Sequence, residues 1–508
     1  MIARAFLLVL YVTRLIPIAF LSLFLVAAPF LKYLFRSRYS IDAQRLGELI
    51  VMASFLPFII FKHATKSTYI PKRIVVPIIV VVILSIASAL SSSYPRSAFL
   101  EIGLISSCFL IISNGAYYFF PLHNRDSMIW ISSIIVISAS LAIKNAMVEY
   151  FSWITQSGND GILTTFDIAY GYSNPRFFNA VQIITLCFFP LIICSFYKSS
   201  VKKILIIISS MYLSILLMTH GRGAFISWVS VIFITHIVYR QKSVQWVKTS
   251  LIILFWGIIF YILLTQFLPK LYHHKYITNY ETFWRIGQKE ERLELWAICL
   301  KIMKQHPWLG VGPMGLSKRE YGINGHPHNI VLQIATELGI PAAVLIIWMV
   351  FLAISAELRK STAEPVLSIR HISTVAALLA ALMYSMVSGV TIYPVGQTWF
   401  FMISGWAYAN HEQLSRSIYS SRAVKIPKSV VISLVLASSA AVFQGVWPEA
   451  KNIDSALDKY CENNPVECNQ RRSPRMWSVA GFTPQQPWQY PDLHQYTLLP
   501  NHNDHRSA

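Results

Sequence analysis

Charged side chains are scarce in this sequence. Asp, Glu, Lys and Arg make up 13% of the residues, whereas hydrophobic residues make up 55%. Soluble domains typically contain about 25% charged residues, so this composition excludes an ordinary soluble domain. Several apolar stretches are long enough to cross a bilayer of about 30 Å as a helix. We therefore expect membrane-spanning helices.

Acidic residues are the scarcest charged class. The chain has 23 of them against 43 Lys and Arg, which gives a net charge of +20. Such an excess would suggest nucleic acid as a partner, but no strand motif combining aromatic and basic residues accompanies it. The basic residues lie mostly in short connections between apolar stretches, as the positive-inside rule predicts for a membrane protein. Nucleic acid is therefore not an expected partner.

Metal-binding spacings are also lacking. Neither a His pair four residues apart on a helix nor a cluster of cysteines occurs, so we expect no metal site and no cofactor. The cysteines up to Cys299 lie in apolar surroundings and are expected to be small core residues. Cys461 and Cys468 lie in a polar tail, where a disulfide and two free thiols are both open alternatives.

The apolar stretches predict an all-α polytopic membrane protein with about 12–13 transmembrane helices and a large helical loop outside the membrane. Met1–Leu31 lacks a clear cleavage site and is predicted to be the first helix. The predicted spans are 8–31, 46–62, 74–91, 98–120, 127–149, 177–197, 203–219, 223–239, 249–268, 331–355, 369–390, 396–411 and 428–447.

Four regions follow from these spans: N-terminal transmembrane helices (1–268), a large outer loop (269–330), C-terminal transmembrane helices (331–447) and a polar outer tail (448–508). The basic connections fall on one face, which we assign to the cytoplasm. One connection, Lys32–Arg45, disagrees because it is basic yet falls on the outer face. Either the first span is miscounted or these charges have a role at the outer surface.

Within the large loop, Glu290–Lys304 is predicted to form an amphipathic helix. Its predicted apolar stripe consists of Leu293, Trp296, Ala297, Leu300 and Met303. Arg292 lies beside this stripe and next to Glu291 and Glu294. Two interpretations are open for Arg292: a surface arginine paired with a neighbouring carboxylate, or a group that binds a ligand.

Gly310, Gly312 and Gly315 match the pattern G-x-G-x-x-G of dinucleotide-binding sites. That motif requires a strand before it and a helix after it. Here a helix precedes the glycines and Pro313 interrupts them. We therefore reject the dinucleotide interpretation and predict tight turns.

Two histidines, His326 and His328, lie directly before an apolar helix. The free N–H groups and the dipole at a helix start favour an anion. A histidine at a membrane surface is well suited to act as a general base, because its ordinary pKa lies near neutrality. The alternative for either residue is a capping or interfacial role.

Two arginines occur where an outer connection meets an apolar helix. Arg222 stands between Gly221 and Gly223, which leave its guanidinium unobstructed. Arginine suits phosphate because its planar group makes two parallel charge-assisted hydrogen bonds. Arg176 begins another span, where an anion contact and an interfacial anchor are equally open. For Arg222, snorkelling of the side chain to the interface is the alternative.

These pieces have a recognisable order. Gly221-Arg222-Gly223 comes first, Arg292 and Trp296 with the segment 306–312 follow, and His328-Asn329 with Glu337 and Gly339 comes last. Together they resemble the O-antigen ligase and polymerase family of bacterial inner-membrane glycosyltransferases, whose fold is of the C type. The resemblance covers about residues 170–410 and is strongest over 290–340.

The resemblance implies an undecaprenyl-diphosphate-linked glycan donor, an active site facing the periplasm, and no metal. By position, Arg222 and Arg292 match the family's diphosphate-binding arginines, with Arg176 as a further candidate. His328 matches its catalytic histidine, with His326 as the second candidate. The large loop and the tail would then be periplasmic.

The acceptor stays open at this point. Ligases of the family move O-antigen onto the lipid A core, and this is the expected activity. Relatives polymerise repeat units or glycosylate proteins such as pilins, and the long tail from Pro448 departs from the simplest ligases. A transporter of lipid-linked sugars is the alternative from a different class, although no repeated halves are evident in the sequence.

Overall fold

The computed structural model describes residues 16–35, 40–65, 68–119, 124–155, 163–272, 291–317, 326–363, 368–415 and 423–444. The predicted polar tail, with Cys461 and Cys468, lies outside the described residues. The large loop is described over 269–272, 291–317 and 326–330.

Helices make up nearly all of the described secondary structure, as the composition predicts. The first nine are α1 (Ile16–Leu34), α2 (Ser40–Thr65), α3 (Lys72–Ser91), α4 (Pro95–Tyr118), α5 (Arg125–Thr155), α6 (Thr165–Ile168), α7 (Pro175–Ser195), α8 (Ser199–Met218) and α9 (Arg222–Tyr239). The others are α10 (Val244–Ile262, continuing to Leu271), α11 (Glu291–Gln305), α12 (Ile330–Leu338), α13 (Ile340–Ala363), α14 (Ile369–Ser385), α15 (Pro394–Ser415) and α16 (Lys428–Gln444).

Nine helical stretches of the described chain are long and apolar enough to cross a membrane. The longest, Arg222–Leu271, contains the turn Arg240–Ser243 and therefore comprises both α9 and α10. Helices α14 and α16 are shorter but also apolar. Each predicted span overlaps one or more of the described helices, and residues 8–15 of the first span lie outside the described residues. The chain is an all-α polytopic membrane protein, and this prediction is confirmed.

The span predicted at 331–355 is not one continuous helix. Helix α12 ends at Leu338 and α13 begins at Ile340, so a single residue separates them. That residue, Gly339, has φ of 85°, a backbone conformation that glycine adopts without steric cost. The apolar pattern conceals this break because both helices are apolar, and the prediction of one helix is wrong here.

Two short strands pair at one end of the helix bundle. β1 (Thr68–Pro71) and β2 (Ala423–Ile426) are antiparallel, with Thr68 opposite Ile426. Beside them, Lys428 Nζ donates to the carbonyl oxygens of Ala64 and Thr65 at 2.9 and 3.1 Å. We call this end, which also carries the connection Arg240–Ser243, the basic end. The sequence analysis predicted helices and connections alone, because four residues are too few for a period-two pattern to show.

At the opposite end, the structure explains one charge, Arg45, of the basic connection Lys32–Arg45, which falls on the outer face in the predicted topology. Arg45 is fully buried near the start of α2 and forms an ion pair with Glu48. Its guanidinium also donates to the carbonyl oxygen of Ile392 and to Oε1 of Gln397, both at 2.6 Å. Thr398 donates to Glu48 at 3.0 Å. A buried charge requires such a full set of partners, so Arg45 ties α2 to the turn between α14 and α15.

Close packing between α4 and α15 depends on a small residue. An added Cβ at Gly405 on α15 would overlap the backbone carbonyl of Ser113 on α4. The Ser113 hydroxyl donates to the carbonyl oxygen of Phe401 at 2.8 Å across the same contact. Ser113 ends a π-helical turn, Cys108–Ser113, that brings the α4 backbone close to α15. Small residues are what permit such approach between membrane helices.

Gly405→Ala is therefore expected to destabilise the protein by about 1–3 kcal/mol, because the new methyl group collides with backbone rather than with a movable side chain. Thermal unfolding of the purified protein in detergent measures the effect. Ser404→Ala is the matched control, since its hydroxyl bonds within α15 to the carbonyl of Phe400. Equal unfolding temperatures for the two variants would contradict the packing argument.

Candidate functional site

The framework of the site is a turn that wraps around α12. Two backbone hydrogen bonds join the turn to this helix: Val311 N to Thr336 O and Gly312 N to Glu337 O, both at 3.0 Å. A third joins it to the start of α13, from Ile340 N to Pro307 O at 2.9 Å. From the membrane domain, the Ser88 hydroxyl at the end of α3 adds a 2.8 Å bond to Glu337 O. The last carbonyls of α12 are thereby satisfied by a loop and by a transmembrane helix.

Glycines make this close approach of backbones feasible. Gly310 and Gly312 have φ of 64° and 89°, in the left-handed region. A Cβ at Gly310 would overlap the carbonyl oxygen of Thr336, and one at Gly339 would overlap that of Trp308. No strand precedes these glycines, because α11 does. The geometry agrees with tight turns and rules out the dinucleotide-binding motif at this position.

Helix α11 packs on this framework with a different face from the one predicted. Cys299 and Ile302 are buried against Val311 and Leu316 of the turn. The predicted stripe points outward, since Leu293 and Leu300 are 63% and 51% exposed. Apolar residues occur on both faces of α11, so periodicity alone could not decide which one packs inward.

One member of the predicted stripe faces the site. The indole N–H of Trp296 donates to the carbonyl oxygen of Pro327 at 3.0 Å. This bond ties α11 to the short segment that holds the two histidines. It also brings Arg292, one helical turn before Trp296, to the same side of the helix.

His328 has an unusual backbone. Its φ of 56° places it in the left-handed region, which is uncommon for a residue with a side chain. Immediately after it, Asn329 caps α12: its side-chain oxygen accepts from the N–H groups of Val331 and Leu332, both at 3.0 Å. The cap fixes where the helix begins and thus where the His328 side chain emerges.

The imidazole of His328 meets an arginine from the membrane domain. Nη1 of Arg176, at the start of α7, lies 3.4 Å from Nε2 of His328. A guanidinium can only donate, so Nε2 accepts and neutral His328 carries its proton on Nδ1. That Nδ1 atom is buried and has no hydrogen-bond partner among the described residues.

The charge environment keeps His328 neutral. Burial, followed by the positive charges of Arg176 and Arg292, lowers the pKa of His328 from 6.5 to about 3. Both arginines therefore act electrostatically on the same imidazole, although one begins a membrane helix and the other lies on α11. Two cations around a neutral histidine are an arrangement that could hold an anion with a base beside it.

His326 is placed differently from His328. It is 2% exposed, and its Nδ1 accepts the backbone N–H of His328 at 3.2 Å. Its Nε2 lies 3.0 Å from the hydroxyl of Tyr393 in the turn between α14 and α15. A Cβ on Gly389 would come within 2.8 Å of the His326 ring, so this glycine leaves room for the imidazole.

Arg222 begins α9 beside the same group of helices. A Cβ on Gly221 would lie 2.6 Å from Nδ2 of Asn179 on α7, and one on Gly223 would lie 2.8 Å from Val387 and 3.5 Å from the ring of Tyr384. The Tyr384 hydroxyl in turn donates to the carbonyl oxygen of Arg176 at 3.2 Å. The two glycines thus allow α9 to approach α7, which carries Arg176, and the end of α14, which carries Tyr384.

Comparison with known proteins identifies one similar family. Residues 205–347 match the family model described as O-Antigen ligase, so this segment of the chain is similar to that family. No curated protein and no solved structure matches it.

The match to the O-antigen ligase family contains Arg222, Arg292, His326 and His328 but not Arg176. The structure brings Arg176, Arg292 and the two histidines together and places the start of α9, with Arg222, next to them.

Two further residues lie at the candidate site, Tyr384 and Tyr393, and neither was predicted from the sequence. Both lie at the ends of apolar helices, where tyrosine is common at a membrane interface for its amphipathic ring alone. The dipeptide Tyr393-Pro394 at a helix start was the one available signal, because proline there fixes the first turn.

Loss of the α12 cap is expected to loosen His328. Asn329→Ala should destabilise the protein by about 1 kcal/mol, because two helix N–H groups lose their acceptor. Asn329→Ser, which can cap the same helix, should retain most of that stability. Chemical or thermal unfolding of both variants in detergent measures the difference, and an unchanged Asn329→Ala protein would show that the cap does not hold this segment.

Proposed function

We propose that the protein transfers a glycan from an undecaprenyl-diphosphate carrier to an acceptor at the periplasmic face of the bacterial inner membrane. O-antigen ligation to the lipid A core is the activity we favour. The observation that carries the proposal is the neutral imidazole of His328 between the charges of Arg176 and Arg292. The similarity of residues 205–347 to the O-antigen ligase family supports glycosyl transfer as the reaction class.

The arginines have the role of holding the diphosphate. Arg176, Arg292 and Arg222 bring three positive charges to one end of the bundle, and guanidinium groups bind phosphate oxygens in pairs of hydrogen bonds. As the bond between the sugar and the phosphate breaks, the leaving oxygen takes both bonding electrons and becomes more negative. Positive groups fixed around it stabilise that charge, so arginines can serve where other enzymes use a divalent metal.

His328 has the role of general base. The acceptor hydroxyl oxygen bonds to the anomeric carbon of the donor sugar while Nε2 of His328 takes the hydroxyl proton. In the structure an Arg176 N–H occupies the lone pair of this nitrogen. A bound diphosphate attracts Arg176, frees Nε2 and, by offsetting the two positive charges, raises the pKa of His328. Donor binding thereby makes the base competent.

The orientation in the membrane rests on charge. The connections Arg240–Ser243 and Lys198–Lys203 lie at the basic end, opposite the site. The positive-inside rule assigns such an end to the cytoplasm. The site then faces the periplasm, where a lipid-linked glycan and the lipid A core are both available.

Arg292→Ala and His328→Ala are each expected to reduce glycan transfer by at least a hundredfold while the protein still accumulates in the membrane. The assay is complementation of a deletion strain, read by the lipopolysaccharide profile and the pool of lipid-linked polymer. Arg73→Ala and His236→Ala, exposed residues at the basic end, are the matched controls. Full transfer by either site variant would overturn the proposal.

The same deletion strain distinguishes the acceptors. Loss of O-antigen with accumulated lipid-linked polymer indicates a ligase. A core with a single repeat unit indicates a polymerase, and normal lipopolysaccharide with unglycosylated pilin indicates a protein transferase. Movement of lipid-linked sugar in liposomes without a new glycosidic bond would instead indicate a transporter.

The pH dependence should differ between the free and the donor-bound enzyme. The depressed pKa of His328 means that the free base is protonated only at pH far below 6.5. We expect kcat/KM for the donor, which reports the free enzyme, to stay constant as pH falls through 6.5. Because the bound donor raises the pKa of His328, kcat should begin to fall at a higher pH than kcat/KM does. Steady-state rates between pH 5 and about 8 measure both. An acid limb of kcat/KM centred on pH 6.5 would contradict the assignment of His328 as a neutral base flanked by arginines.

A further inference from the structure

The hydrogen bonds of His326 fix the direction in which a tyrosine hydroxyl donates. The backbone N–H of His328 can only donate, so Nδ1 of His326, 3.2 Å away, must accept. A neutral imidazole with an accepting Nδ1 carries its proton on Nε2. His326 therefore donates from Nε2 to the Tyr393 oxygen at 3.0 Å. The backbone thereby selects one tautomer.

Because the Tyr393 oxygen accepts from His326, its own hydrogen is left to donate elsewhere. No described residue accepts it: the recorded neighbours of the ring and hydroxyl are His326, Phe177, which stacks on the ring, and Arg176, whose positive charge acts on the phenol. Contacts place this O–H near the Arg176 guanidinium: Phe177, the next residue after Arg176, stacks on the Tyr393 ring. The His326 ring that bonds the hydroxyl lies 4.1 Å from the ring of His328, whose Nε2 is 3.4 Å from Arg176 Nη1. The hydroxyl is a polar donor beside a cation, which suits an anionic oxygen.

Tyr393 is also rigidly placed. Its carbonyl oxygen accepts the N–H of Gln397 in the first turn of α15 at 2.8 Å. The carbonyl of the preceding residue, Ile392, is held by the buried Arg45 at 2.6 Å. A donor fixed in this way loses little conformational entropy when it binds a ligand, so its hydrogen bond contributes fully to affinity.

We propose that the Tyr393 hydroxyl donates a hydrogen bond to a phosphate oxygen of the donor's diphosphate, next to the one held by Arg176. The inference rests on the proposed function, because it names a further ligand of the same diphosphate. The phenol donates without transferring its proton, since burial raises its pKa far above neutrality. Tyr393 lies outside residues 205–347 and is contributed by the turn before α15.

Three proteins test this inference with inorganic diphosphate as the probe: the full-length wild type, Tyr393→Phe and Arg176→Ala, each reconstituted in nanodiscs. Tyr393→Phe removes the hydroxyl alone and should weaken diphosphate binding by roughly tenfold or more, because a hydrogen bond to a charged oxygen is lost. Tyr150→Phe is the matched control, since its hydroxyl is buried elsewhere and bonds to the carbonyl of Leu264. Calorimetry gives the dissociation constants, and thermal unfolding confirms that each variant folds.

Replacement of Tyr393 with 3-fluorotyrosine separates a donor from a residue that merely anchors His326. Fluorine makes the phenol a stronger donor and a weaker acceptor. Our inference requires affinity equal to or above that of the wild type, whereas equal weakening by Phe and by fluorotyrosine would show that the hydroxyl only accepts. If Arg176→Ala loses binding and Tyr393→Phe does not, this inference alone fails. If the wild type itself does not bind diphosphate, the proposed function fails with it.

Discussion

The hydrogen bond from the backbone N–H of His328 to Nδ1 of His326 fixes the positions of the two histidine side chains, on which the candidate site depends. It requires the left-handed turn at His328, and it holds two imidazole rings 4.1 Å apart in an edge-to-face arrangement. The bond also gives the two histidine side chains different partners. His326 is held neutral with a fixed tautomer and serves as a buried donor, while His328 projects toward the arginines with its Nε2 available to them. Strain in the backbone is stored where the chemistry needs a defined geometry.

Sequence alone predicts the membrane helices well, because burial in lipid imposes long apolar stretches that composition reveals directly. It also points to His326, His328, Arg176, Arg222 and Arg292, since charged groups at helix ends are unusual in such a chain. Prediction from the sequence fails where one apolar helix packs against or follows another. The outward stripe of α11 and the break at Gly339 depend on which face finds a partner, and that information lies in residues far away in the sequence.

The partners of Tyr393 and Arg45 lie far away in the sequence, so their contacts could not be predicted. The dipeptide Tyr393-Pro394 indicates only a helix start, and Arg45 belongs to no local motif. Arg45 lies in α2, more than three hundred positions from the turn that it holds, and a buried ion pair gives no periodic signal. Arg222 and Arg292 lie within the segment matched by the family model. The residues that surround them, on α2, on α7 and in the turn before α15, lie outside that segment. The site is therefore assembled from both the matched segment and the helices around it.

Gly339 has a mechanical consequence. With only one residue between α12 and α13, a membrane helix is coupled almost directly to the helix that follows His328 and its neighbour Asn329. Glu337 O receives both Gly312 N and the Ser88 hydroxyl, and Ile340 N bonds to Pro307 O, so the joint is locked on each side. With hydrogen bonds on each side, this joint resists bending, so a movement of α13 would be passed on to α12. The joint between α12 and α13 is therefore a rigid part of the candidate site.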